Sequence, residues 1–181
     1  MKVYYCDISG QNIKNIDYNE FCLSRKLYVD TITDDKRKLQ SVAVWKLLLY
    51  ATKYIDIDII CSENGKWHDK SGKLFFSISH SANFVVVALS AKPIGIDVEI
   101  CNEKITKIKR RFDFTLDNSL SLTDNLTLQW TKEESEYKAG IKGKHYFKKI
   151  KDSLSNEYYV TACGIDDECV FLSTTAEDVL K

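Results

Sequence analysis

The sequence predicts an α+β fold, and three observations carry the prediction. Val85, Val86 and Val87 form a β-branched run within Phe84–Leu89, bounded by Asn83 and Ser90, which favours a strand. After the chain's one proline, in the turn Lys92-Pro93, the segment Gly95-Ile96-Asp97-Val98-Glu99 alternates aliphatic and acidic residues with the period of a second strand. Two further stretches, about Lys36–Tyr54 and Trp130–Lys138, have helical composition and spacing.

Taken in order, Met1–Ile8 reads as a strand, without the apolar core and small-residue cleavage site of a signal peptide. Asp34-Asp35 can cap the helix to Tyr54, in which Leu39, Val42, Trp45 and Leu49 fall at helical spacing. Its first turn carries Lys36, Arg37 and Lys38, which oppose the helix dipole; either solvent or a bound anion offsets that small penalty. Ile55–Ile60 alternates apolar residues with Asp56 and Asp58, a short strand, and Glu63-Asn64-Gly65-Lys66 is a turn. The segment Phe-Phe-Ser-Ile-Ser-His-Ser, Phe75–Ser81, leads into the first of the two strands described above.

Glu103–Phe112 places Ile105, Ile108 and Phe112 on one face, with Lys104, Lys107, Arg110 and Arg111 around it, and so reads as a basic amphipathic helix. Thr115–Asn125, rich in Ser, Asp and Asn, reads as a loop. Tyr158–Ile165 and Glu168–Thr174 read as two strands around Asp166-Asp167, a hairpin-like pair expected to complete a second sheet, before an acidic and aliphatic end at Ala176–Leu180.

Twenty-six basic and twenty-six acidic residues cancel, so no global field points to nucleic acid; a charged partner must meet a local patch. A chain of 181 residues, 44% hydrophobic, is long enough to bury a sizeable core. Cysteines at 6, 22, 61, 101, 163 and 169 form neither a CxxC pair nor a metal-finger spacing, so they read as reduced thiols with no zinc motif. Nothing reaches the roughly 18 apolar residues of a membrane span, and a cytoplasmic protein is expected.

The chemistry-bearing residues fall in two places. Asp97 and Glu99, at i and i+2 on one strand, project to one face, where their repulsion requires water, a cation or a partner; they read either as a hard-metal site or as a solvated strand face. Trp130, Glu134 and Lys138, at steps of four, share one helical stripe, placing a carboxylate and an ammonium beside an aromatic ring.

Ser79-His80-Ser81, Gly95-Ile96-Asp97-Val98-Glu99 and Trp130-x-x-x-Glu134-Ser135-x-x-Lys138 resemble, in order and spacing, the three signature motifs of the 4'-phosphopantetheinyl transferases, in the monomeric surfactin-type branch. The resemblance covers roughly Gly65–Gly143. It implies two pseudo-symmetric α+β halves, each a small antiparallel sheet packed with a helix, spanning 1–92 and 93–181 and meeting near Ser90–Gly95, with coenzyme A across the junction.

The implied activity is transfer of the phosphopantetheine arm of coenzyme A to a serine of an acyl, peptidyl or aryl carrier protein of fatty-acid, polyketide or nonribosomal-peptide synthesis. By resemblance, Asp97, Glu99 and Glu134 hold Mg2+ or Mn2+, Glu134 is the candidate base and Lys138 stabilises diphosphate charge. Arg37, Lys66, Ser79 and His80 are the further coenzyme A contacts, and Lys107 and Arg111 are candidate contacts for an acidic carrier. For Lys66 the alternative is a solvated turn lysine, and for His80 a hydrogen-bonded structural residue.

Two departures stand out. Gly65-Lys66-Trp67 lacks the family's proline, and Glu133 stands where the family commonly has a lysine, so that Lys132 or another cation is expected to supply the missing charge. Glu133 keeps open a degenerate protein that binds coenzyme A or a carrier without transfer; the same carboxylates would also serve a metal-dependent phosphohydrolase.

Overall fold

The computed structural model describes the chain except residues 54, 56, 57, 63–66 and 112–115, with the backbone alone at 108–111. It is an α+β protein with three small sheets. The first has strand order β4–β5–β1–β9, built from Phe75–Ser81, Phe84–Ser90, Lys2–Asp7 and Val170–Thr174. The second is the pair β2–β3, Ile59–Cys61 and Trp67–Asp69, and the third has order β6–β8–β7, from Ile94–Ile100, Glu157–Gly164 and Lys144–Lys151. All pairings are antiparallel except β1 with β9.

Two cores hold these sheets together. Helix α2, Asp35–Thr52, covers one face of the first sheet, packing Val42, Trp45, Leu47 and Leu48 with Cys6, Val85 and Val87. Full burial of a leucine such as Leu47 or Leu48 contributes about 1.5–3 kcal/mol. The opposite face of that sheet meets the third: Phe84, Val86 and Ala88 of β5 pack with Ile96 and Val98 of β6 and Tyr158, Val160 and Ala162 of β8. Strand period fixes the partition, because successive residues of β5 face opposite cores and β5 is therefore buried along its whole length.

Helix α3, Leu122–Ala139, covers the outer face of the third sheet. It begins earlier than composition indicates, so the expected loop to Asn125 ends at Ser121. That serine caps the helix, accepting from Asp124 N at 3.0 Å, and donates to the Asp124 carboxylate at 2.8 Å. Gly140 ends the helix at φ 68°, a left-handed cap suited to glycine.

Other expectations are corrected. Val170–Thr174 forms no hairpin with β8 and does not extend the third sheet; it crosses to lie parallel to β1, with Val3 opposite Phe171. The strand partner that β8 takes instead is Lys144–Lys151, whose lysines at 144, 148, 149 and 151 hid its strand character. Glu103–Arg111 is a 3-10 helix rather than an α-helix, and Phe112 lies outside the described residues. The strand expected over Ile55–Ile60 begins only at Ile59, and the turn at Glu63–Lys66 is outside the described residues. Helix α1, Leu23–Asp30, buries Arg25 and Val29 and leaves Leu23 and Leu27 exposed. Pseudo-symmetry between the halves is not evident: a mixed four-strand sheet faces a three-strand antiparallel one.

Candidate functional site

The first and third sheets meet along β4 and β6, where serine hydroxyls take the place of a regular ladder. Ser77, Ser79 and Ser81 alternate along β4 and face β6. Ile96 N donates to Ser77 Oγ at 3.1 Å, Ser79 donates to Asp97 Oδ1 at 2.8 Å, and Ser81 donates to Glu99 Oε1 at 2.8 Å. Ile96 and Val98 enter the core, so the strand period turns Asp97 and Glu99 outward together, as the sequence predicts.

Helix α3 is seated on this corner by Gly95. A Cβ there would collide with the Ser135 carbonyl oxygen and lie 2.5 Å from Ala139 N, so a side chain would push the helix off the strand. Thr131 Oγ1 meets Thr161 Oγ1 at 2.7 Å one turn earlier. The seating brings Lys138 Nζ to 2.7 Å from Asp97 Oδ1, with Ser79 Oγ at 3.1 Å. Both hydrogen bonds to Asp97 fall on Oδ1, leaving Oδ2 uncommitted among the described residues.

Glu134 is half-buried on the same helical flank as Lys138, one turn away. Burial, and to a lesser degree the nearby Asp97 charge, holds the Glu99 pKa above the usual glutamate value, while hydrogen bonds from Ser81 and the Ile100 N–H pull against the rise. These oxygens suit a hard cation, and the raised pKa of Glu99 reflects chiefly its burial. Asp97, Glu99 and Glu134 are not drawn into a tight cage: among the described residues, only Glu136, His145 and Cys163 bring three potential ligand atoms within 4.8 Å of one another.

A cleft of about 620 Å³ opens beside this corner, lined by Arg25 and Tyr28 of α1, Ser41 of α2, Trp67 of β3, His80 of β4, and Asp97 and Lys138. Its size is that of a site for a cofactor-sized molecule. Its most telling residue is one the sequence reading passed over. Arg25 is only 3% exposed, donates to the carbonyl and hydroxyl of Ser41 at 2.7 and 2.8 Å, and lies over the rings of Trp45 and Tyr28 at 4.5 and 5.0 Å. Its Nε has no hydrogen-bond partner, and no carboxylate pairs with it among the described residues. Burial lowers its pKa to about 10, so it remains charged at neutral pH. A buried cation with no carboxylate partner among the described residues thus stands in the wall of an open cleft, an arrangement that favours anionic groups. The aromatic residues around Arg25, three of them from α1, α2 and β3, were its only sequence signal, and they are scattered.

His80 is at the mouth of the cleft. The surrounding protein, followed by Lys138, Arg25 and Arg37, pushes its pKa down, which favours the neutral ring at pH 7, with one N–H available as a donor. Arg37 is exposed on the first turn of α2, whose cap Asp34 accepts from Arg37 N at 2.7 Å. Lys66 lies outside the described residues. Lys107 is exposed on the 3-10 helix, and the Arg111 side chain is outside the described residues.

Glu133 and Lys132 both turn away from the Asp97 corner. Glu133 accepts from Gln129 Nε2 at 2.8 Å, and Lys132 Nζ lies 5.6 Å from the Phe147 ring centroid, over β7. Lys132 therefore does not stand in for a cation beside Asp97; Lys138 is the cation paired there. No model of a known protein family matches the chain, and no curated protein matches it.

Proposed function

We propose that the chain is a magnesium-dependent 4'-phosphopantetheinyl transferase acting on coenzyme A and a carrier-protein serine. The observation that carries the reading is the joining of Lys138, Asp97 and Ser79 at the mouth of a cleft whose wall holds the unpaired guanidinium of Arg25. A diphosphate with a further phosphate needs separated cationic contacts, and this cleft supplies Arg25 at one place and Lys138 at another. Tyr28 and Trp67 offer aromatic faces for a nucleobase.

Asp97, Glu99 and Glu134 would hold the magnesium ion, which when bound neutralises charge on the diphosphate. Lys138 adds a fixed positive charge at the same place, where negative charge grows in the transition state. The carrier serine oxygen attacks the phosphorus that bears the pantetheine arm. A new P–O bond forms, the bond to the bridging diphosphate oxygen breaks, and 3',5'-adenosine diphosphate leaves with the electron pair. Glu134 takes the serine proton, directly or through a water. Ser79 and Ser81 position the two acids through the hydrogen bonds described above. Lys107 offers one cationic contact for an acidic carrier.

Product analysis tests this reading. Incubation with coenzyme A, magnesium and an apo carrier protein should release 3',5'-adenosine diphosphate only when the carrier is present. Intact coenzyme A that remains tightly bound would mark a degenerate binding protein, and cleavage without a carrier would mark a phosphohydrolase; either result displaces the proposal.

A further inference from the structure

The opposite flank of α3 carries a second group of ligand-bearing side chains. Helical geometry sets Glu136 about 200° around α3 from both Glu134 and Lys138, facing β7 and β8 instead of β4. His145 of β7 and Cys163 of β8 are direct cross-strand partners, so their side chains project to one face, the face on which α3 lies. The seating of α3 at Ser135, which Gly95 permits, lowers the next residue, Glu136, onto that pair.

We propose that Glu136, His145 and Cys163 form a binding site for a zinc-class divalent ion. One donor atom from each lies within 4.8 Å of the other two, and His145 Nε2 stands 3.6 Å from Glu136 Oε2. Two ligands about 2.0–2.1 Å from a tetrahedral zinc are about 3.3 Å apart, so this edge needs to close by only a few tenths of an ångström. At 3.6 Å the histidine and glutamate are not hydrogen-bonded, and the solvent-shielded Nε2 has no hydrogen-bond partner among the described residues. Cys163 Sγ makes only a weak contact, donating to the Ile141 carbonyl at 3.9 Å.

The donor set selects the ion. A thiolate and an imidazole favour zinc, cobalt or nickel over magnesium and calcium, and one thiolate with one carboxylate neutralises a divalent charge. Three protein ligands leave a fourth position for water from the adjoining groove of about 810 Å³, which Lys132, Tyr137 and Lys142 also line. The cysteine spacings do not reveal this site because its ligands come from three elements, with one cysteine only. Bound there, the ion ties the last turns of α3 to β7 and β8.

The probe is cobalt alone, titrated into the reduced, chelator-stripped chain with magnesium in excess to occupy oxygen-only sites. One cobalt per chain should bind with tetrahedral absorption and a thiolate-to-cobalt charge-transfer band, and zinc should displace it. Cys163→Ser should abolish the band, and Glu136→Gln, at a half-exposed position that leaves the core intact, should weaken cobalt binding at least about tenfold. Zinc should raise the unfolding temperature of the unmodified chain and not of Cys163→Ser. No charge-transfer band, or a band that survives Cys163→Ser because it arises at exposed Cys22 or Cys61, overturns the proposal. Should Cys163→Ser fail to fold, unchanged cobalt affinity in Glu136→Gln overturns it alone.

Discussion

Lys138 and Asp97, forty-one residues apart, meet at 2.7 Å with the Ser79 hydroxyl between them and β4. One side chain comes from a helix and the other from a strand, so the pair depends on how α3 lies on β6. Lys138 is 29% exposed and Asp97 only 8%, which places the pair between a surface ion pair and a buried one. Lys138→Met should lower transferase activity by at least about 100-fold, from the lost charge at the diphosphate. It should cost about 1–3 kcal/mol of stability, because Asp97 loses its cation while keeping the Ser79 hydrogen bond. Steady-state rates and denaturant midpoints check both. Unchanged turnover would remove Lys138 from the site.

Gly95→Ala tests the seating directly. Its Cβ would meet backbone atoms of Ser135 and Ala139, neither of which can rotate away. The variant should lose about 2–4 kcal/mol or fail to fold, well beyond the helix- or strand-propensity change of such a substitution. A chemical denaturation curve overlapping that of the unmodified chain would contradict the packing.

Glu99 carries a pH prediction. Its folded pKa is raised above 4.5, chiefly by burial, so the folded chain retains a proton that the unfolded chain has released. The stability this confers is complete below 4.5 and is lost as pH rises through the raised folded value. Glu99→Gln should therefore raise the thermal midpoint of the metal-free protein at pH 7 by about 2–4 °C per kcal/mol recovered, with the advantage vanishing at acid pH. The same variant should lose magnesium-dependent activity. Melting curves from pH 4 to 8 read the sign.

Much of this site is legible in the sequence, for a physical reason. The period of two along Gly95–Glu99 turns both acids to one face, and the period of four along α3 aligns Glu134 with Lys138; each is local geometry. Ser77, Ser79 and Ser81 show the same period of two, and their full alternation marks the seam between the sheets. What the chain does not disclose locally is which sheet a strand joins. Val170–Thr174 has the composition of a hairpin partner for β8, yet it pairs with β1 from the other end of the chain. Lys144–Lys151 looks too charged for a strand because only Ile150 is fully buried, the other residues lying on an edge. Arg25 is hidden for a similar reason: its significance comes from Trp45 and Trp67, which only the fold brings near.

Arg25→Met keeps the bulk of the buried stem and removes the charge. Coenzyme A affinity should fall at least about tenfold, and less so for a dephosphorylated analogue that lacks one anionic group. The fold should survive, since the lost hydrogen bonds end on Ser41, and the apolar stem still packs on Trp45. Calorimetric titration with the two ligands separates these outcomes, and equal affinity for coenzyme A in both proteins would show that the guanidinium holds no phosphate.

The most direct measurement of the central claim is the intact mass of several apo carrier proteins after incubation with the chain, coenzyme A and magnesium, with Glu134→Ala beside it. The account predicts a gain of one phosphopantetheine arm on at least one carrier, absent from the Glu134→Ala reaction. No gain on any carrier, with tight coenzyme A binding retained, would contradict it.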